Sequence, residues 1–186
     1  VERSCYDEVV EIARRAAEAT VVGNPEEEGD HIGPLFDQIQ FDRVQNMIQV
    51  GIDEGANLIS GGLGRPEGFE TGWFVRPTIF ADVDNTMRIA REEIFGPVLA
   101  IIPFDTEEEA VAIANDTPYG LAAYVQTGSA ERAARMSRSL RAGAVHINGG
   151  AYEYGSPFGG YKASGNGREG GEMGLEDFLE TKMVHG

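Results

Sequence analysis

Few side chains in this sequence carry obvious chemistry, and the first to examine lie in REEIFGPV, Arg91 to Val98. The segment sets Glu92 and Glu93 against Ile94, Phe95 and a Gly-Pro stop. A solvated turn has little use for Ile94 and Phe95, and a buried strand has little use for two carboxylates. In an extended segment residues i and i+2 face the same way, so Glu93 and Phe95 would share a surface while Ile94 turns inward. Taken by itself, the pattern reads as a Glu93 ion pair beside a core phenylalanine.

Other reactive groups are sparse. Cys5 is the one thiol. A helix N-terminus and nearby Arg3 would favour its thiolate, whereas Asp7, Glu8 and Glu11 oppose it. Packing as a small apolar residue is the better reading. Gly165-Asn-Gly167-Arg-Glu-Gly170 fits G-x-G-x-x-G, which binds a dinucleotide when it joins a strand to a helix with an acid about 20 residues on. Sixteen residues follow Gly170, too few for that unit, so the motif reads as a turning backbone. His31, His146 and His185 are scattered, and His146 reads as a strand residue with its hydrogen bonds satisfied. No serine sits in a nucleophile elbow. Metal-dependent and serine-triad hydrolysis are poorly supported.

The elements that must position these groups are legible from periodicity. Ser4 to Asp7 has capping-box form, and a helix is expected from Cys5 to Ala19. A second runs from Gln38 to Glu54, with Phe41, Val44, Met47, Ile48 and Ile52 on one face. NLISGG and WFVRPTIFADV read as strands separated by a glycine-rich turn. VLAIIPF, TEEEAVAIAND, LAAYVQT, SAERAARMSRSL and AGAVHIN then alternate strand, helix, strand, helix, strand. That order predicts an α/β fold with parallel β-α-β units and helices on both faces of the sheet. Strands that run apolar without strict alternation fit such a sheet. From Ala163 the texture turns glycine-rich, and a short C-terminal strand or tail closes the chain.

Bulk composition narrows the function further. The chain has 186 residues, 31 acidic against 15 basic, and a net charge of −16. That charge argues against a nucleic-acid backbone or an anionic membrane as partner. No apolar run is longer than that from Val98 to Ile102, which ends at Pro103 and is too short to span a bilayer. A single cysteine predicts a reducing, cytoplasmic setting. The start on Val1, running straight into a helix pattern, predicts a piece of something longer.

Three segments read together, EEIFGPV (Glu92 to Val98), TPYGLAAYV (Thr117 to Val125) and SPFGGYKASGNGRE (Ser156 to Glu169), resemble the aldehyde dehydrogenase superfamily in order and separation. The likeness continues through GPLFDQIQFDRV and GWFVRPTIFADV and so covers essentially the whole chain. The resemblance implies the C-terminal two-fifths or so of such an enzyme, with a catalytic domain over 1–162 and an oligomerisation tail over 163–186. It implies oxidation of an aldehyde to a carboxylic acid with NAD or NADP, through a cysteine thiohemiacetal. The nucleophilic cysteine and general-base glutamate would lie before Val1, so no catalytic residue is expected in this chain and the piece alone would be inactive. It further implies that Glu93 and Phe95 meet the nicotinamide riboside, the carboxylate taking both hydroxyls of a ribose diol and the ring packing on the nicotinamide. Gln40 and Arg43 would lie near the adenosine ribose. Tyr152, Tyr154 and Phe158 would line the aldehyde tunnel. Partners would be the aldehyde, the missing N-terminal half and further copies in a dimer or tetramer. A non-catalytic structural or nucleotide-binding homologue is the alternative.

Overall fold

The computed structural model describes residues 1–186, which divide into two compact units, Val1–Glu107 and Glu108–Gly186. Both are α/β, as the alternating pattern predicts.

The first unit is built on a three-stranded sheet of order β1-β2-β3, with β1 at Asn57–Ser60, β2 at Thr78–Ala81 and β3 at Val98–Ala100. β2 and β3 are parallel, Thr78 opposite Val98, whereas β1 runs antiparallel to β2 with an irregularity between Leu58 and Ser60. β2 is shorter than expected. Arg76 and Pro77 precede it, and Pro77 has no N–H to give a ladder.

Helix α1, Tyr6–Ala19, starts one residue later than expected, and the capping box does not form. The Ser4 hydroxyl donates instead to the Glu2 carboxylate at 3.0 Å. Tyr6 ties the helix to the sheet, its hydroxyl accepting from the Asp82 N–H at 2.6 Å and donating to the Ile101 carbonyl at 3.4 Å. Desolvation raises the pKa of this phenol, so it stays protonated at neutral pH.

Helix α2, Gln38–Asp53, is capped by Asp37, whose carboxylate accepts from the Gln40 N–H at 2.8 Å. Its apolar stripe of Phe41, Val44, Met47 and Ile48 is buried, and these residues form one core with Val75, Phe80, Val83, Ile89 and Ile94. Ile52, assigned to the same face, is 36% exposed. Gly51 lets the sheet approach, since a Cβ there would lie 3.0 Å from the Phe80 ring and 3.1 Å from Ile89. A glycine inside a helix costs roughly 0.5–1 kcal/mol against alanine, which the close packing offsets. A four-residue turn of helix, α3 at Arg88–Arg91, then leads into the EEIFGPV segment.

Helix α4, Glu107–Asn115, lies in the second unit from Glu108 on and precedes β4, Ala122–Val125. Helix α5, Ala130–Ser139, then leads to β5, Ala144–Ile147. Ser129 caps α5 by accepting from the Arg132 N–H at 3.2 Å. β4 and β5 are parallel, Tyr124 opposite His146, so this is the expected β-α-β unit. Val125, Met136 and Leu140 form its core. Segments 118–120, 143–144 and 159–164 meet largely backbone to backbone. The Gly120 carbonyl accepts from both Gly143 and Tyr161, and any side chain at Gly143 would run into the Gly159 carbonyl.

Gly165 and Gly170 both have positive φ, which fits a turning backbone. A short helix, α6 at Gly171–Glu176, follows; residues beyond it form no strand, so the chain ends in a tail.

Candidate functional site

Four of the nominated residues converge in the first unit. Glu93 and Phe95 are exposed, Phe95 at 71%, while Ile94 between them is buried in the core. The alternation is as expected, but simple extension does not produce it. Phe95 has φ of +55°, the left-handed region that an aromatic residue rarely adopts. The ion pair and the core phenylalanine that the pattern alone predicts are both absent: Phe95 is not a core residue, and the Glu93 carboxylate has no cation or donor within the chain.

Helix α2 holds this turn in place. Gln40 Nε2 donates to the Ile94 carbonyl at 3.0 Å and to the Phe95 carbonyl at 2.7 Å. Arg43 Nη2 donates to the Glu93 carbonyl. One turn on, Val44 meets Gly96, where a Cβ would lie 2.7 Å from Val44 Cγ2 and 3.1 Å from Cγ1. Residues 40, 43 and 44 stack on one helix face by their i, i+3, i+4 spacing. Sequence reading nominated Gln40 and Arg43 for a ligand and missed that their donors reach main-chain carbonyls 50–55 residues away. A glycine directly after Phe95 was the one hint of a close approach.

Glu92 is engaged elsewhere. Arg88 Nε donates to it at 2.7 Å across one helical turn, and that hydrogen bond lowers the Glu92 carboxyl pKa. The acid that remains without a partner is Glu93.

Gly96→Ala is expected to destabilise the protein by about 1–3 kcal/mol, because Val44 is branched at Cβ and stiff within a helix. Urea unfolding of Gly96→Ala, Val44→Ala and the double variant checks this. Val44 is itself a core residue, so the double variant is expected to cost less than the sum of the two single variants, and an unchanged midpoint in Gly96→Ala would refute the contact.

The aromatic nominees lie in the second unit. Tyr152 and Phe158 meet edge to face with centroids 6.4 Å apart, and the Tyr152 hydroxyl donates to the Ser156 carbonyl at 2.5 Å. Both rings are about half exposed, and Tyr154 is fully exposed. Phe158 also exchanges two backbone hydrogen bonds with Glu169, at 2.7 and 2.6 Å, which fixes the end of the loop. His146 is a strand residue with its Nδ1 2.8 Å from the Gly150 carbonyl and its ring stacked on Tyr124. Cys5 is exposed, its thiol 3.4 Å from the Glu2 carbonyl.

The profile of the Aldehyde dehydrogenase family matches residues 1–184. The chain belongs to the aldehyde dehydrogenase family. It is 54% identical over 183 residues to a 3-succinoylsemialdehyde-pyridine dehydrogenase of a Pseudomonas species, covering 98% of this chain and 38% of that protein. Among solved structures, an aldehyde dehydrogenase of Bartonella henselae superposes with a TM-score of 0.96 at 51% identity, over 98% of this chain and 38% of that one. Aldehyde dehydrogenase C of Pseudomonas syringae, a cysteine-to-alanine mutant complexed with NAD+ and octanal, gives a TM-score of 0.95 at 53% identity with the same coverage. The chain thus spans under two-fifths of the length of these aldehyde dehydrogenases. No helix in it is long and apolar enough to cross a membrane.

Proposed function

We propose that this chain is the C-terminal part of an NAD(P)-dependent aldehyde dehydrogenase that oxidises an aldehyde to a carboxylic acid. The observation that carries the reading is the exposed Glu93–Phe95 pair, an unpartnered carboxylate beside an outward ring on a turn pinned from behind. Two acceptor oxygens suit a vicinal diol, and the ring suits a flat heterocycle, so the residues fit a nicotinamide riboside. When bound, NAD or NADP would take up the two electrons of the oxidation. Glu93 would hold the ribose and Phe95 would limit the travel of the ring. Arg43 is exposed and retains N–H donors beyond the one on Glu93, which leaves it able to reach a ribose, whereas both Nε2 protons of Gln40 are already engaged.

Tyr152, Tyr154 and Phe158 would line the aldehyde tunnel, from a loop set on the β4–β5 sheet. Residues 1–162 would act as the catalytic domain. Residues 163–186 would be an oligomerisation tail, a role supported by Phe178, Leu179, Met183 and Val184, all more than 60% exposed. A cytoplasmic homo-oligomer follows from this reading. The attacking thiolate and the base would be supplied by chain preceding Val1.

The test is NAD(P)-dependent oxidation of a panel of aldehydes by the longer protein containing this chain. Absence of reduced cofactor with every aldehyde would overturn the proposal. The 186-residue chain alone is expected to be inactive in the same assay, and turnover that vanishes in Cys5→Ser would refute that expectation.

A further inference from the structure

We propose that Gln40 acts on the cofactor without touching it, as a positioning residue that keeps the Phe95 turn left-handed, with Arg43 assisting. The inference rests on the cofactor reading of Glu93 and Phe95. Three consecutive carbonyls, those of Glu93, Ile94 and Phe95, accept hydrogen bonds from two side chains of α2. Phe95 at φ +55° would relax to the ordinary negative region if released, turning its ring and the adjoining peptides. The buried Ile94 side chain and the Gly96–Val44 contact fix the turn on either side, but neither sets the carbonyl directions. The Gln40 amide does, because one nitrogen offers two protons to two adjacent carbonyls.

This role is chemically specific. Glutamate has the same size as glutamine but is acceptor-only when ionised, so Gln40→Glu would set an acceptor oxygen against two carbonyl oxygens in place of the donor Nε2. Any contact that Gln40 made to a ribose hydroxyl through its own oxygen would survive that substitution. A positioning role would not.

The experiment is equilibrium titration of NAD+ into the longer protein carrying Gln40→Glu, Glu93→Gln, or both, with hydrogen exchange on the unliganded forms. Gln40→Glu is expected to weaken NAD+ binding about tenfold, a loss of one good hydrogen-bonded interaction. It should also speed amide exchange at Val98, whose N–H donates to the Gly96 carbonyl at the end of the turn, while exchange in β2 stays as it was. In the Glu93→Gln background the same change should cost under about threefold, since the two act on one contact. Full additivity, or unchanged exchange at Val98, overturns the positioning role while leaving the cofactor reading intact. Unchanged affinity in Glu93→Gln alone overturns the cofactor reading and this inference with it. Should Gln40→Glu not fold, Gln40→Asn, which is one methylene short of both carbonyls, is read by the same criteria.

Discussion

Glu93→Gln in the longer protein is expected to raise the dissociation constant for NAD+ about ten- to a hundredfold, with little change in thermal stability. Hydrogen bonds to a charged group contribute about 1.5–3 kcal/mol, against about 1 kcal/mol for neutral ones. The substitution keeps the shape of the side chain but replaces one anionic oxygen by an amide donor. A ribose diol then meets one acceptor where it had two. Stability should hold because the carboxylate is exposed and has no partner within the chain. Isothermal titration of both proteins decides the matter, and equal affinities would remove Glu93 from the cofactor site. Glu92→Gln is the internal control, since its carboxylate is already held by Arg88.

The largest effect on stability is expected at Phe80. Its side chain is fully buried at the centre of the first unit's core, on β2 between α2 and the rest of the sheet. Phe80→Ala should cost about 3–5 kcal/mol, the lost transfer free energy plus the cavity left behind. The surroundings have limited freedom to collapse, because Gly51 already brings the helix backbone against the ring. Urea unfolding of the longer protein should show the midpoint falling at constant slope. A loss below about 1 kcal/mol would mean that the core repacks and is looser than described.

The parts of this architecture held by local rules were legible in the sequence. Helices α2 and α5 follow from their apolar spacing, and the parallel β4–β5 pair follows from strand–helix–strand order. Local rules failed where a competing or distant partner intervened. Ser4 has the form of a cap, yet its hydroxyl is drawn to the Glu2 carboxylate. The antiparallel pairing of β1 with β2 is set across a connection from Gly61 to Pro77 whose geometry no periodicity encodes. At the candidate site, burial of Ile94 between two outward residues was readable. The left-handed turn at Phe95 was not, because the donors facing its carbonyls come from a helix some 50 residues earlier. Family likeness points to Gln40 and Arg43; their partners come from the fold, which brings α2 against the turn at Phe95.

The abutting backbones of the second unit carry a consequence for altering this protein. The chain leaves β5 at Asn148, whose side chain is clasped by the Thr127 main chain on both sides, and re-enters the fold at Gly159, which Gly143 meets with no room for a side chain. Both posts are therefore indifferent to what is strung between them. Lengthening such a span costs only about 0.6 kcal/mol per doubling. If this loop lines the aldehyde tunnel as proposed, the stretch from Gly149 to Pro157 amounts to an exchangeable cassette, and a graft there from a relative would redirect substrate preference while the frame stays intact.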